Sequence, residues 1–481
     1  MRMNRQIMLI TYADSLGRNL RELDGVLAEH FTGAVGGVHL LPFFPSSADR
    51  GFAPTRYDQV DSALGTWEDV DALGERYYLM FDFMINHLSR QSEPYRDMVL
   101  RGKASPYWSL FLHYAEFWPG GEPSAAQLEQ VYKRKPRAPY LEQRMQDGST
   151  EKLWCTFSEE QVDLDVQAPV TQAFIRDTIR ALAARRMSVL RLDAFAYAVK
   201  KVNTNCFFVE PEIWDLLSQV QRTADEFGVV LLPEIHEHYT IQLKLAGRGY
   251  WVYDFALPML VLYTLYTADA KPLKNWLSLC PERQFTTLDT HDGIGVVDVK
   301  DLLTDEQAEQ TRELLYQKGA NVSRVYSSEK YNNLDVYQIN CTYYSALGDN
   351  DDAYLLARAI QFFAPGIPQV YYVGMLAGAN DLPLVEETRQ GRDINRHRYT
   401  AEEVAREVRR PVVQKLRNLM RFRNECEAFE GPLRQQPAAD HQLALTRAHN
   451  GTEARLLADC TTYRFTVETR KAGEDWQPVT L

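Results

Sequence analysis

MSVLRLDAFAY, residues 187–197, is an apolar run of strand length that finishes on Arg191 and Asp193 and then continues into two aromatic residues. A carboxylate at the end of a buried strand is costly unless it is paired or used. Arg191 stands two residues before Asp193, and residues i and i+2 of a strand point to the same side. The arginine is therefore expected to hold Asp193 ionised. Seven more runs of the same kind recur along the chain: 6–11, 36–42, 77–83, 229–234, 250–255, 284–289 and 367–373. Amphipathic helical stretches such as 170–186 and 211–227 lie between several of them. Strand–helix alternation repeated eight times predicts an α/β fold of the (β/α)8 TIM-barrel type.

Two connections are too long for a single crossover: roughly 100 residues follow the third strand and about 80 follow the seventh. Long insertions of this kind usually build over the active-site face of a barrel. The expected organisation has barrel segments at 1–86, 169–292 and 354–432, with inserted domains at 87–168 and 293–353. Short alternating runs such as 442–448 and 463–469 predict a small β domain at 433–481.

The bulk composition narrows the function classes. The chain has 481 residues, 45% hydrophobic and 25% charged, with a net charge of −12. An acidic balance argues against nucleic acid, whose phosphates need a basic surface. The six cysteines are widely spaced with no C-x-x-C pair, which disfavours a zinc site or disulfide framework and fits a cytoplasmic protein. The first residues read as neither a signal peptide nor a membrane span, so no membrane partner is expected.

In a barrel of this type the catalytic groups lie at the C-terminal ends of the strands. Strand three ends at Asp82 and runs on to Asn86 and His87, strand four ends at Arg191 and Asp193, and strand five ends at Glu234, followed by His236. After strand seven come Asp289, His291 and Asp292. An ionised Asp193 suits a nucleophile. Partial burial of Glu234 behind Pro233 is expected to raise its pKa, as a general acid requires. Two such carboxylates on either side of a glycosidic bond can cleave it, and retention needs them roughly 5–5.5 Å apart. Asp292 is placed to stabilise an oxocarbenium-like transition state. Each residue alone has a plainer reading, as a cap, a turn residue or a satisfied core histidine. The ordered set at successive strand ends is what points to chemistry.

The segments FDFMINH, RLDAFAY, LLPEIHEH and LDTHDG resemble the four signature regions of the α-amylase superfamily (glycoside hydrolase family 13). Longer stretches, including GGVHLLPFFPSSADRGFAP, DTHDGIGVVDVKDLL and YNNLDVYQINCTYYSALG, resemble the bacterial sucrose phosphorylase group, which includes sucrose 6′-phosphate phosphorylases. The resemblance runs from about residue 7 to about 430. It implies a retaining glycosyltransferase-type phosphorylase with Asp193 as nucleophile, Glu234 as general acid/base and Asp292 as transition-state stabiliser. It also implies Asp49, His87, Arg191, His291 and Arg396 on the glucosyl hydroxyls, and Phe52 and Tyr197 as an aromatic wall. Gln338, Tyr337 and Asp335 would lie on the acceptor side. No metal or organic cofactor is implied, and the partners would be a sugar and inorganic phosphate, in a monomer or homodimer.

A dianionic acceptor needs a compensating cation. VYKRKPRAPY (131–140) supplies Lys133, Arg134, Lys135 and Arg137, of which Arg134 and Lys135 are the candidates for substrate contact. The same cluster would also suit sucrose 6′-phosphate. Glucosylglycerol and glucosylglycerate phosphorylases and a plain α-glucosidase share the glucosyl side. A metal-dependent hydrolase using Asp82, His87, His236, His291 and Asp292 would be sensitive to chelator. A non-catalytic binding protein would be expected to have lost one of the three acids.

Overall fold

Aliphatic and aromatic runs bounded by turns form the eight predicted strands: β1 (Met8–Thr11), β2 (Gly37–Leu40), β3 (Tyr78–Met84), β4 (Met187–Asp193), β5 (Val230–Pro233), β6 (Val252–Asp254), β7 (Gln284–Thr287) and β8 (Ile367–Tyr371). The computed structural model describes residues 3–135, 137–320 and 338–481. The strands belong to one sheet in the order β6-β7-β8-β1-β2-β3-β4-β5, which follows the sequence around the barrel with β5 and β6 at its two ends. Pairing is parallel for β3 with β4, β4 with β5, β6 with β7, β7 with β8 and β8 with β1. This is the (β/α)8 barrel expected from the strand–helix repeat. Near-complete burial of β3 and β4 explains why their sequences read as continuous apolar runs rather than alternating ones.

The helices start where local chemistry satisfies their first N–H groups. In α1 (Leu20–His30) the Asn19 side chain accepts from the Glu22 backbone N–H. In α2 (Trp67–Arg76) Thr66 and Asp69 form a reciprocal capping box. Helix α3 (Pro169–Ala183) opens on a proline, whose missing N–H costs nothing in the first turn. Helix α4 (Glu212–Asp225) buries Leu216, Leu217, Val220 and Ala224 along one face.

The chain divides into two compact units, residues 40–235 in one and residues 3–39, 236–320 and 338–481 in the other. In the first, the long connection after β3 folds into antiparallel ribbons. Strand Tyr140–Arg144 pairs with Thr150–Trp154, and His87–Ser89 pairs with Gln161–Asp163. Its own small core gathers Leu112, Tyr114, Trp118, Val131, Trp154 and Cys206. In the second unit, the C-terminal residues form a five-stranded antiparallel sheet: β9 (Leu433–Gln435), β10 (Gln442–His449), β11 (Thr452–Asp459), β12 (Arg464–Lys471) and β13 (Gln477–Pro478). Leu443, Leu445, Leu456 and Val467 are buried at alternating positions. The sequence expectation named parts of β10 and β12 but not β11. Two of the three inward residues of β11 are alanines, Ala454 and Ala458, which weakens the apolar alternation.

Candidate active site

Parallel pairing of β3 with β4 places Asp82 opposite Arg191 and Met84 opposite Asp193. The buried Arg191 guanidinium bonds three carboxylates. Its Nη1 donates to Asp82 Oδ1 and, at 3.0 Å, to Asp193 Oδ1, while Nη2 lies 3.3 Å from Glu234 Oε1. The two-residue spacing of Arg191 and Asp193 thus produces the expected ion pair. Asp82 on the neighbouring strand is a partner that the spacing within one strand does not reveal. Ala194, directly after Asp193, takes a left-handed backbone conformation with φ 52° and donates its N–H to Glu234 Oε2 at 3.0 Å. A residue with a Cβ is strained there, and such strain is kept where surrounding contacts require it. The turn fastens the end of β4 to the carboxylate at the end of β5.

Glu234 is partly buried, as expected from its place after Pro233. Its side chain is 12% exposed against 13% for Asp193, so burial does not distinguish the two acids. Pro233 ends its strand beside Leu192, and Glu234 N–H continues the pairing to the Leu192 carbonyl. The side chain therefore emerges at the same level as Asp193 and meets the same arginine. Their different environments lie in their partners: Asp193 has the Arg191 Nη1 edge, Glu234 has Nη2 and a backbone N–H.

The first unit also holds the segments beside these strand ends. Asp49 and Arg50 both have positive φ, 51° and 48°. A Cβ on the following Gly51 would meet the Pro42 carbonyl oxygen at 2.4 Å, so only glycine fits this turn. Phe52 is buried, and its carbonyl accepts from His87 Nε2 at 2.8 Å and from Gln161 at 2.9 Å. Since a carbonyl only accepts, His87 carries its proton on Nε2. Burial pushes the imidazole below its ordinary pKa, with nearby Asp163 opposing. Tyr197 meets Phe157 and Phe207 edge-on, at 5.2 and 4.9 Å between ring centroids, and stacks with Tyr132 at 6.2 Å. Phe157 also packs against His87 at 5.7 Å. Tyr197, expected with Phe52 to flank a sugar, belongs to this aromatic cluster. Sequence analysis missed Tyr132, Phe157 and Phe207, which come from separate loops with no common spacing.

Beneath His87 lies a buried polar cluster that the sequence did not disclose. Lys200 Nζ is 2.5 Å from Asp163 Oδ2 and 2.6 Å from Asn86 Oδ1. Asp163 also accepts from the Thr156 N–H at 3.0 Å and the Thr156 hydroxyl at 2.5 Å. The ion pair is thus fully hydrogen-bonded, which offsets its desolvation. It ties the inserted ribbon, where Asp163 faces His87, to the segment after β4.

The basic segment separates by environment. Arg137 donates to the carbonyls of Ala138 and Tyr140, at 3.2 and 2.7 Å, and to Cys155 sulfur. Lys133 is exposed, whereas Arg134 and Lys135 are half-buried. Burial raises the Tyr197 hydroxyl pKa, and the Arg134 cation beside it opposes that shift. Lys133, Arg134, Lys135, Tyr197 and Lys200 line one pocket.

In the second unit Asp292 follows β7 on an irregular segment. Its Oδ2 is 3.5 Å from His291 Nε2 and its Oδ1 3.6 Å from Arg392 Nη1. Asn395 donates to the carbonyls of Asp292 and Thr290, and Arg396 Nε to that of His291, at 3.0 Å. Tyr12 meets the His291 ring edge-on at 6.3 Å and lies under the Arg396 guanidinium at 6.0 Å. The structure brings His291, Asp292 and Arg396 together as expected and adds Tyr12, Arg392 and Asn395. Asp289 serves as scaffold, paired at 2.6 Å with the fully buried Arg358. Gln338 Nε2 lies 3.2 Å from His236 Nε2. Asp335 and Tyr337 fall outside the described residues. Among the described residues no three His, Cys, Asp or Glu side chains form a metal-ligating group, and no helix is long and apolar enough to cross a membrane.

Comparison with known proteins bears on the family and the fold. The Alpha-amylase family (alpha amylase, catalytic domain) matches residues 6–245. The chain is 62% identical over 423 residues to a sucrose phosphorylase of Streptococcus mutans, covering 88% of each chain. It is 43% identical to a sucrose 6(F)-phosphate phosphorylase of Thermoanaerobacterium thermosaccharolyticum, covering 97% of each. The crystal structure of a sucrose 6F-phosphate phosphorylase from Thermoanaerobacter thermosaccharolyticum superposes with a TM-score of 0.96 at 41% identity, covering 100% of this chain and 98% of that one.

Proposed function

The chain belongs to the α-amylase family, in the group of the sucrose phosphorylases, and on that premise we propose that it is a retaining phosphorylase converting sucrose and inorganic phosphate into α-D-glucose 1-phosphate and D-fructose. The observation that carries this reading is the single Arg191 guanidinium bonded to both Asp193 and Glu234. Carboxylates that share the two ends of one guanidinium stand close together. That places an attacking and a protonating acid beside one another and is compatible with the roughly 5–5.5 Å at which one acid attacks directly.

In the first step Asp193 attacks the anomeric carbon and the glycosidic bond breaks. Glu234 gives its proton to the departing fructosyl oxygen, and a glucosyl ester forms on Asp193. In the second step a phosphate oxygen attacks the anomeric carbon of that ester, the bond to Asp193 breaks and frees its carboxylate, and Glu234, now the base, takes up the proton that the phosphate loses. Asp292 faces the positive charge that develops on the ring in both steps. His87, His291, Arg396, Asp49, Phe52 and Tyr197 are assigned to the glucosyl side. Gln338 is assigned to the acceptor side. Arg134 and Lys135, half-buried and lining one pocket with Tyr197, are the cations assigned to phosphate. The partners are thus a sugar and phosphate with no organic cofactor, the assembly a monomer or homodimer, and the compartment the cytoplasm, where six free thiols stay reduced.

Sucrose 6′-phosphate is the second reading, favoured by the basic pocket and by the 43% identical relative. Phosphate-dependent release of glucose 1-phosphate, measured with the two donors in parallel and without added metal, decides between them. Higher kcat/KM for sucrose supports the first reading. A preference for the phosphorylated donor of tenfold or more, about 1.4 kcal/mol of transition-state binding, overturns it.

A further inference from the structure

His236 lies two residues after Glu234, and its surroundings in the second unit fix the ring on three sides. One face stacks on Phe255, with centroids 3.8 Å apart and planes 17° from parallel, and Phe255 in turn stacks on Tyr253 at 4.7 Å. Nε2 faces the Gln338 amide nitrogen at 3.2 Å, and Nδ1 faces Asp298 Oδ2 at 3.3 Å. Asp298 is completely buried. An amide N–H directed at Nε2 makes that nitrogen the acceptor, which leaves the proton on Nδ1, facing the carboxylate.

The backbone is shaped around this contact. Ile294–Gly295 pairs antiparallel with Gln338–Ile339, and Gly295 stands opposite Gln338. A Cβ on Gly295 would come within 2.2 Å of Asp298 Oδ2 and 3.4 Å of His236 Nδ1. The glycine therefore does two things at once. It holds Gln338 in register, and it leaves room for a carboxylate against the imidazole. Nothing in the reaction as derived above uses Asp298.

We propose that Asp298 is a positioning residue that acts through His236, holding the ring so that its Nε2 edge, with Gln338, meets the sugar that leaves rather than the glucosyl unit that is transferred. The inference rests on the assignment of Glu234 as the general acid. An acid must touch the leaving oxygen, and His236 follows Glu234 by only two residues, so the leaving sugar is the part of the donor assigned to it. Asp298 touches no substrate. Its contribution is the orientation and tautomer of a group that does, as a carboxylate behind an imidazole provides elsewhere.

The test compares two donors with different leaving groups in wild-type, Asp298→Asn and Asp298→Ala proteins: sucrose, which releases a sugar, and α-D-glucosyl fluoride, which releases an ion too small to use His236. With phosphate as acceptor, Asp298→Ala is expected to lower kcat/KM for sucrose by about 100-fold, the size of effect a misplaced contact group produces. Asp298→Asn, which keeps an acceptor oxygen, is expected to lower it less, and the rate with glucosyl fluoride to stay within a factor of about two in both variants. Equal losses on both donors, or no loss on sucrose in either variant, would overturn the proposal. Wild-type activity on glucosyl fluoride without activity on sucrose or its 6′-phosphate would instead sink the assigned reaction, so the two failures are distinguishable.

Discussion

Asp193 and Asp292, both assigned to one reaction, are held in opposite ways. Asp193 ends a strand, beside a buried arginine that is 3% exposed and shared with Asp82 and Glu234. Asp292 sits on an irregular segment, and the arginine near it, Arg392, is 43% exposed and 3.6 Å away. Its other carboxylate oxygen lies 3.5 Å from His291 Nε2, and Asn395 and Arg396 bond the backbone carbonyls of Asp292 and His291. The two carboxylates are almost equally exposed, 13% and 16%, but the first is paired with a buried cation and the second with an exposed one. Pairing with a buried cation is worth several times what pairing at the surface is worth, so the two neighbourhoods should respond very differently to loss of an arginine.

The largest effect expected is from Asp193→Asn. It should lower kcat by roughly 10⁴-fold or more, because no later step proceeds without the covalent intermediate. The melting temperature should stay close to wild type, since the amide oxygen still accepts from Arg191. Near-normal turnover would remove Asp193 as nucleophile. Next is Arg191→Lys. An ammonium cannot reproduce a planar fork serving three carboxylates, so a loss of about 3 kcal/mol in stability is expected in denaturant unfolding, together with loss of activity. Stability equal to wild type would mean that the cluster is not held by charge.

On the acceptor side, Arg134→Ala should raise the KM for phosphate about tenfold, in line with the roughly 1.5–3 kcal/mol of a charge-assisted bond. An unchanged KM would shift the role to Lys135. Buried Asp254 offers a pH test of the second unit. Burial raises its pKa from 3.8 to about 6, although Trp276 and the Leu257 N–H donate to it. The folded state therefore holds a proton that the unfolded chain gives up, and stability should fall as pH rises from about 4 to about 6. Asp254→Asn should flatten that part of the curve, measured by denaturant unfolding at several pH values. The smallest effect is expected from Arg392→Ala, whose exposed partner contact is worth at most about 1 kcal/mol. A loss in kcat/KM much larger than tenfold would erase the contrast drawn between the two carboxylates.

Legibility in the sequence followed the same division. Asp193 and Glu234 stand where an apolar run stops, and Asp82 and Arg191 interrupt such runs from within their strands, β3 continuing past Asp82 to Met84, so all four stand out by position alone. The Lys200–Asp163–Asn86 cluster joins three segments separated by up to 114 residues, and no local period marks it. Arg392 and Tyr12 likewise reach their partners only through the fold. Glu234 shows the reverse case. Its place after Pro233 marks its partial burial, but Asp193 is as buried, and their meeting on opposite ends of one arginine is visible only in the fold. β11 escaped notice because alanines at two of its three buried positions blur the alternation that marks a strand.

The most direct test of the account is the anomeric configuration of the sugar phosphate first formed from sucrose and phosphate, followed by proton NMR from the start of the reaction. Two close carboxylates clasped by Arg191, one attacking and one protonating, predict α-D-glucose 1-phosphate as the initial product. β-D-glucose 1-phosphate would require a single inverting displacement, and would contradict the assignment of Asp193 and Glu234.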